Sequence, residues 1–161
     1  MAPQERMLRL NSYSMSGRRK RSPVPEVFTV GYEGRDLDEL VGLLHHHGIR
    51  VLVDVRLNAI SRRRGFSKSV LAETLADAGI AYVHERGLGN PKDNRADYRV
   101  GKTSAHRRYA RHLKVHGADA FARVTDLVKS TPTALLCVER EPNCCHRTAI
   151  ATELDLTVIS L

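Results

Sequence analysis

The sequence contains no apolar run that could cross a membrane. A membrane-spanning helix needs about 20 consecutive apolar residues, and no stretch of the 161 residues approaches that length. No apolar segment follows the N-terminus, so a secretory signal is not expected. Three cysteines cannot all pair within one chain. These absences predict a soluble protein of the reducing cytoplasm that makes no contact with membranes.

Several signatures of specific chemistry are also missing. Gly31 and Gly34 do not form the GxGxxG fingerprint of dinucleotide-binding proteins. The cysteines lack the paired C-x-x-C spacing of structural zinc sites. The Cys-x5-Arg loop of tyrosine phosphatases would need a cysteine six residues before Arg147, where Glu141 stands. The sequence therefore predicts no metal site and identifies no cofactor.

The positive charge lies mostly at the N-terminus. The net charge of the chain is +8, and residues 1–25 hold six Arg or Lys residues against one Glu, which leaves +3 for residues 26–161. The first 25 residues show no core-forming pattern and are predicted to be a disordered basic tail, with or without a weak nucleic-acid contact. The remaining chain has the size and composition of a single domain.

Short apolar runs alternate with helical periodicity in that domain. The runs lack strict alternation, which is typical of strands buried on both faces. They lie at residues 27–30, 51–55, 80–83, 134–138 and 156–159. This order predicts an α/β fold, a doubly wound three-layer α/β/α sandwich around a mainly parallel sheet of about five strands.

Capping signals place the first two helices. Asp36 followed by Glu39 predicts a capping box, and Gly48 suits the residue after the helix. Ser67 or Ser69 is expected to cap the second helix, which ends at Gly79.

The second half of the domain gives less regular signals. Residues 88–102 are polar, contain Gly89, Pro91 and Gly101 and are too long for a simple connection, which predicts a functional lid or a disordered loop. Helices are expected at 104–115 and 118–129. The last helix should open near Cys144 and end at Glu153, with residues 144–147 in its first turn.

Ionisable residues follow the predicted strands. Ligands bind at the carboxyl ends of strands in open parallel sheets, and Asp54, Arg56 and Glu139 stand at those ends. Asp54 has a structural alternative, in which it caps a turn and pairs with Arg56. Ser61 and Arg62 open a basic loop after the second strand that is either an anion clamp or a solvated surface.

The segment from Cys137 to Arg147 allows three interpretations. In a catalytic one, Cys145 or His146 acts with Glu139 or Asp54, and the positive end of a helix favours the thiolate. In a second, Cys137, Cys144, Cys145 and His146 bind zinc. In a third, Cys137 is a core thiol, while His146 and Arg147 satisfy the loop and a neighbouring carboxylate.

Separated motifs in this chain resemble those of the bacterial family catalogued as domain of unknown function 488. The motifs are Thr29-Val30-Gly31-Tyr32, Asp54-Val55-Arg56, Ser61-Arg62, Gly65-Phe66-Ser67-Lys68, Leu88-Gly89-Asn90, Cys137-Val138-Glu139 and Cys145-His146-Arg147. The resemblance implies a small three-layer α/β fold without an assigned reaction. It aligns the family's polar motifs with Asp54, Arg56, Ser61, Arg62, Glu139, Cys145, His146 and Arg147.

The resulting functional prediction is an enzyme, a hydrolase or transferase, that acts on a small anionic ligand such as a nucleotide or phosphorylated compound. The predicted catalytic residues are Asp54, Glu139, Cys145 and His146. The predicted ligand-binding residues are Tyr32, Arg56, Ser61, Arg62 and Arg147. A nucleic-acid-associated module that uses the tail and the basic stretch 106–114, or a ligand sensor without turnover, are the alternatives. The oligomeric state does not follow from the sequence.

Overall fold

The structure, a computed structural model, describes residues 25–161 and contains one parallel five-stranded sheet. The strands lie side by side in the order β3-β2-β4-β1-β5, and every neighbouring pair is parallel. Their bounds are β1 Glu26–Gly31, β2 Val51–Asp54, β3 Ala81–His84, β4 Thr133–Cys137 and β5 Thr157–Ser160. The predicted parallel sheet of about five strands is confirmed.

Helices cover both faces of this sheet. They are α1 Leu37–His46, α2 Lys68–Asp77, α3 Lys92–Arg99, α4 Thr103–His116, α5 Ala118–Ser130 and α6 Arg147–Glu153. One buried cluster joins α1 and α2 to one face, and a second joins α3 to α6 to the other. The three-layer α/β/α sandwich is therefore confirmed.

The central strands are buried on both sides, as their unbroken apolar sequences predict. All residues of β2 and β4 are buried. Val53 and Leu135 pack towards α3–α6, whereas Leu52 and Leu136 pack towards α1 and α2. Because successive side chains of a strand point to opposite faces, both layers are apolar along the same two strands.

The predicted signals at both ends of α1 and at the end of α2 act as expected, whereas the cap at the start of α2 does not. Asp36 Oδ1 accepts from the Glu39 backbone N–H at 2.8 Å, and Glu39 Oε2 accepts from the Asp36 N–H at 2.7 Å, which completes the capping box. Gly48 and Gly79 follow α1 and α2 with positive φ angles of 65° and 71°. Ser67 is the N-cap of α2, but its hydroxyl donates to the Ser61 carbonyl instead of capping the helix.

The disordered-loop alternative for residues 88–102 was wrong, whereas the functional-lid alternative stays a prediction. A short 3-10 helix at Arg86–Leu88 is followed by α3, which packs against α4. Asn94 is buried and its amide donates to Asn90 Oδ1 and to the Ala105 carbonyl, both at 3.0 Å. Tyr98 is the one large apolar side chain that α3 buries. A helix held by one aromatic ring and buried amides carries no apolar stripe, so its sequence does not show a helical period.

The predicted start of the last helix was also wrong. Residues Pro142–Cys144 form a 3-10 turn, Cys145 is extended with φ −123° and ψ 145°, and α6 begins at Arg147. The positive helix end therefore does not act on Cys145 from within the first turn. The environment of Cys145 is set by side chains instead.

Two further sequence predictions concern the N-terminal tail and membrane-spanning segments. The predicted tail, residues 1–25, falls outside the described residues except for Pro25. Among residues 25–161, none of the helices combines the length and the apolar character that crossing a bilayer requires.

Candidate active site

The candidate site lies where the connections after two neighbouring strands lead to opposite faces of the sheet. β2 and β4 are neighbours at the centre of the sheet; the connection after β2 leads to α2 on one face, and the connection after β4 leads to α6 on the other. Such a divergence opens a crevice at the carboxyl ends of the strands, where α/β proteins bind ligands.

A cavity of about 70 Å³ occupies this crevice, and we refer to it as the β2–β4 cavity. It is lined after β2 by Arg56, Leu57, Asn58 and Ile60, around α3 by Asn90, Arg95 and Tyr98, and after β4 by Cys137, Val138, Glu139, Cys144 and His146. Three segments that are distant in sequence therefore build one wall each.

Two thiols and an imidazole meet beneath this cavity. Cys137 Sγ, Cys145 Sγ and one ring nitrogen of His146 all lie within 4.8 Å of one another, and we call this group the Cys–His cluster. His146 Nδ1 is 3.9 Å from each sulfur. All three residues are buried, with exposed fractions of 4%, 2% and 6% in chain order. The structure thus brings together all three predicted catalytic residues of this segment, which are Glu139, Cys145 and His146.

The orientation of His146 follows from its other nitrogen. His146 Nε2 lies 3.0 Å from the Val55 carbonyl oxygen, just after β2. A carbonyl only accepts hydrogen bonds, so Nε2 carries the proton. In the neutral ring, Nδ1 then holds the lone pair, and this lone pair faces the two sulfurs.

Arg147 supports the cluster from within the core. Its side chain is among the largest fully buried ones, and its Nε donates to Cys145 Sγ at 3.2 Å. Its Nη2 donates to the Glu139 backbone carbonyl at 2.6 Å. The predicted role in binding a ligand stays untested, but these two donors already fix the end of β4 and compensate negative charge on Cys145.

The two cysteines differ in proton affinity. Burial raises the pKa of Cys145, but hydrogen bonds from Cys137 and His146 and the charges of His146 and Arg147 outweigh it and bring this pKa well below the usual thiol value. The hydrogen bond to Cys145 and burial both raise the pKa of Cys137. Burial would lower the pKa of His146, but its contact with Cys145 raises it above the ordinary value. The cluster therefore favours a thiolate at Cys145.

Glu139 stands between the cluster and the cavity. Its Oε2 accepts from Cys137 Sγ at 3.2 Å, and its Oε1 accepts from Arg99 Nη2 at 2.8 Å. Burial alone would raise the pKa of this carboxyl group, but hydrogen bonds from Arg99, the backbone, Cys137 and Cys145 lower it to about 2. The cavity therefore has a carboxylate at its wall.

Asp54 is engaged by the protein itself. Arg56 Nε donates to Asp54 Oδ1 at 2.8 Å, and the Tyr82 hydroxyl donates to Oδ2 at 2.6 Å. Arg56 Nη1 donates to the Phe66 carbonyl at 2.8 Å and to the Tyr32 hydroxyl at 3.2 Å. The structural alternative for Asp54, a pair with Arg56, is confirmed. Its predicted catalytic role stays a prediction.

Two predicted ligand-binding residues, Tyr32 and Ser61, lie beside this ion pair, and neither they nor Arg62 line the cavity. The Tyr32 ring stacks on Phe66 at a centroid distance of 4.3 Å, and its hydroxyl donates to Ser61 Oγ at 3.3 Å. Arg62 is exposed on the following loop. Of the five predicted ligand-binding residues, Arg56 alone lines the β2–β4 cavity.

Sequence reasoning missed several residues that the structure brings to the site. Cys137 was absent from the predicted site because it ends an apolar strand, although its position two residues before Glu139 at a strand end was a usable signal. Arg95 and Tyr98 reach the cavity from α3, the helix that the sequence pattern did not predict. Burial and the negative charge of Cys145 raise the pKa of Tyr98 to about 12, so its hydroxyl stays protonated.

These features define a doubly wound α/β protein with a buried thiol–imidazole site at its topological switch point. Residues 36–154 match the family model described as Domain of unknown function DUF488. The chain therefore belongs to this family, as its motifs predicted. Comparisons with curated proteins and with solved structures gave no match.

Proposed function

We propose that the protein is an enzyme, a hydrolase or transferase, that acts on a small anionic ligand in the β2–β4 cavity. The observation that carries this proposal is the Cys–His cluster, whose reactive atoms are buried together. Two of its residues, Cys137 and His146, line a cavity that also contains the carboxylate of Glu139. Reactive side chains that converge on a cleft at a switch point are the usual pattern of an active site.

Arginines around the cavity favour an anion. Arg95 and Arg56 line it, and Arg95 Nε donates to the Asn90 carbonyl at 2.9 Å, which holds its guanidinium in place. Guanidinium groups match the geometry of phosphate and carboxylate oxygens. We therefore assign anion binding to Arg95, with Arg56 as a supporting charge.

The size of the cavity limits what enters it. A volume of about 70 Å³ has room for about five water molecules, since each needs roughly 10–15 Å³ on the same measure. A phosphate or carboxylate group fits, whereas a base and ribose would remain outside. A nucleotide or phosphorylated compound would therefore insert its anionic group alone.

The reacting groups would be Glu139 and the Cys–His cluster. The carboxylate of Glu139 can orient an attacking hydroxyl or water by accepting a hydrogen bond from it, since a pKa of about 2 makes it a weak general base. The thiolate of Cys145 can act as a nucleophile or as a metal ligand, because both roles require the deprotonated sulfur. Asp54 would act indirectly, by holding Arg56.

A binding and turnover experiment tests the proposal. Inorganic phosphate and a panel of phosphate monoesters are titrated into the full-length chain by calorimetry, and the same esters are tested for release of phosphate. We expect saturable binding that falls about tenfold or more in Arg95→Gln, in line with the loss of a charged hydrogen bond. Arg107→Gln, on the exposed surface of α4, is the matched control and should bind normally.

Turnover separates an enzyme from a sensor. Glu139→Gln should bind phosphate but lose most of its turnover if the Glu139 carboxylate orients the attacking group. Saturable binding without product would identify the non-catalytic ligand sensor. If no ester or phosphate binds at all, the small-anion proposal is wrong.

A nucleic-acid-associated module is a second candidate because of one observation. Arg107, Arg108, Arg111 and Lys114 are all exposed on α4, and a basic helix surface is typical of phosphate-backbone contacts. This candidate requires no chemistry at the Cys–His cluster, so it does not account for the buried site.

A further inference from the structure

We infer that Cys137 Sγ, Cys145 Sγ and His146 Nδ1 bind a zinc ion whose fourth coordination position opens to the β2–β4 cavity. The inference deepens the proposed function, since the use of the ion in chemistry rests on it. Binding of the ion itself stands on the geometry of the Cys–His cluster alone.

The distances suit a tetrahedral ion. Zinc bonds of about 2.3 Å to sulfur and about 2.0–2.1 Å to nitrogen place a sulfur and a nitrogen ligand roughly 3.6 Å apart at the tetrahedral angle. His146 Nδ1 is 3.9 Å from each sulfur, and all three ligand atoms lie within 4.8 Å of one another. An ion would therefore need shifts of only a few tenths of an ångström for the nitrogen–sulfur pairs.

The hydrogen bonds around the Cys–His cluster resemble those around a metal site. Metal-binding histidines donate their other ring N–H to a carbonyl or carboxylate, and His146 Nε2 does so to the Val55 carbonyl at 3.0 Å. Arg147 Nε donates to Cys145 Sγ at 3.2 Å. The first contact leaves Nδ1 as the ring nitrogen that can bind an ion, and the second supplies positive charge beside the Cys145 sulfur.

The donor set and its burial favour zinc over a purely structural role. Two sulfurs and one imidazole are a soft set that suits zinc, and two thiolates would neutralise a divalent cation. At 3.9 Å, the nitrogen–sulfur contacts are too long for strong hydrogen bonds. A bound ion would replace these two weak contacts of His146 Nδ1 by a coordinate bond.

Three protein ligands indicate a site that can react. Catalytic zinc sites keep one position for water or substrate, whereas structural ones use four protein ligands. Cys137 and His146 line the β2–β4 cavity, whereas Cys145 does not. A ligand in the cavity would thus reach the ion past Cys137 and His146, and Cys145 would hold the ion from below.

Glu139 would complete the chemistry at the open position. Its Oε2 lies 3.2 Å from Cys137 Sγ, and Arg99 holds its other oxygen. Zinc at this site would supply a water whose pKa it lowers to about 7, and Glu139, whose own pKa is about 2, would orient that water by accepting a hydrogen bond from it. The hydroxide would attack the phosphorus of the ligand as the bond from phosphorus to the leaving group breaks. The proton that the water releases to solvent is balanced by the one that the leaving group takes up, so the ion is regenerated.

Metal content and cobalt substitution test the inference on the untagged full-length chain. Zinc is measured after dialysis against a weak chelator, and cobalt is then exchanged for zinc. We expect one zinc per chain and a cobalt spectrum with thiolate charge-transfer bands. These bands distinguish the Cys–His cluster from the exposed histidines at positions 45–47, because surface histidines supply no sulfur.

Adjacent cysteines provide the matched control. Cys144 lies outside the cluster, so Cys144→Ser should keep the zinc and the charge-transfer bands. Cys145→Ser should weaken zinc binding by about 100-fold or more, since loss of even an outer-shell partner costs roughly 10–100-fold. Far-ultraviolet circular dichroism checks that each variant is folded, and the spectrum of the wild-type chain tests the site even if Cys145→Ser does not fold.

The outcomes separate the ion from the reaction. If the wild-type chain takes up no stoichiometric zinc, or its cobalt form shows no sulfur bands, the inference is overturned. Turnover that persists without metal would then leave the proposed function standing with Cys145 as nucleophile. Stoichiometric zinc whose cobalt bands shift on adding phosphate supports an open position. Stoichiometric zinc in a chain that binds no phosphate and releases no product supports ion binding and contradicts the proposed function.

Discussion

Asp54 and Arg56, two residues apart at the end of β2, form an ion pair that is closed to solvent. Asp54 is 0% exposed and Arg56 is 4% exposed. Removal of one member leaves a buried charge without a partner, which typically costs about 3–5 kcal/mol. We expect Asp54→Asn to lower the free energy of unfolding by that amount in urea denaturation.

An exposed aspartate gives the control for this prediction. Asp97 pairs with Lys102 and Arg108 at the surface, so Asp97→Asn should leave the denaturation midpoint nearly unchanged because exposed pairs contribute little. If Asp54→Asn keeps its stability and its phosphate affinity but loses turnover, Asp54 is catalytic, as the sequence predicted, and its structural role is secondary.

Gly31 is required by a close backbone approach at the end of β1. A Cβ atom at this position would lie 1.9 Å from the Glu139 carbonyl oxygen and 2.7 Å from Arg140 Cα. We expect Gly31→Ala to destabilise the protein by about 1–3 kcal/mol or more, the usual cost of overpacking, and to displace Glu139 from the β2–β4 cavity. Thermal denaturation and phosphate titration measure the two effects.

Gly42 is the matched position for that substitution. It lies within α1, and a Cβ there meets no atom within 4 Å. Gly42→Ala should stabilise the chain by about 0.5–1 kcal/mol, because alanine is the better helix former. Equal effects of the two substitutions would show that the contact between β1 and the loop after β4 is not rigid.

The sequence predicted those parts of the fold that local signals specify. The capping box at Asp36 and the glycines at 48 and 79 each act within one turn, so their patterns are visible in a short window. Helix α3 is different, since Asn94 is satisfied by the Ala105 carbonyl of the next helix. A partner that lies in another element leaves no local pattern.

The same distinction explains what could be predicted of the site. Strand ends identified Glu139, and the unusual run of residues 145–147 drew attention to its cysteine and histidine. Their convergence with Cys137 depends on the extended Cys145 and on the Val55 carbonyl just after β2. Neither the backbone angle nor the distant carbonyl has a signature in residue spacing, so the sequence did not predict a metal site.

His112 makes the stability of the protein depend on pH. Its Nε2 is buried and has no hydrogen-bond partner among residues 25–161. Burial, and then the charge of His116, lower the pKa of His112 below its ordinary value of 6.5, although the nearby Gly89 backbone acts in the opposite direction. The unfolded chain therefore binds this proton more readily than the folded one.

The sign of the pH effect follows from that difference. Stability is fully present above about pH 6.5 and is lost as the pH falls towards the lower pKa of the folded state. We expect wild type to lose more unfolding free energy than His112→Leu between about pH 7.5 and about pH 5.5. Urea denaturation at both pH values measures this difference in unfolding free energy. Equal losses in wild type and His112→Leu would contradict the role of His112 in the pH dependence.

Nucleic-acid binding, if it occurs, should depend more on the N-terminal segment than on α4. Residues 1–25 carry a net charge of +5, against +3 for residues 26–161. Each phosphate contact with single-stranded nucleic acid contributes about 0.7 to the slope of log affinity against log salt. We expect removal of residues 1–25 to lower that slope more than the double substitution Arg107→Gln and Arg111→Gln, measured by fluorescence anisotropy with an oligonucleotide.

Because Arg95 lies in the cavity, Arg95→Gln should leave this nucleic-acid binding unchanged while it weakens phosphate binding. If the truncation leaves the salt slope unchanged but the double substitution lowers it, nucleic acid binds at α4 instead. If Arg95→Gln lowers the slope, nucleic acid binds at the β2–β4 cavity.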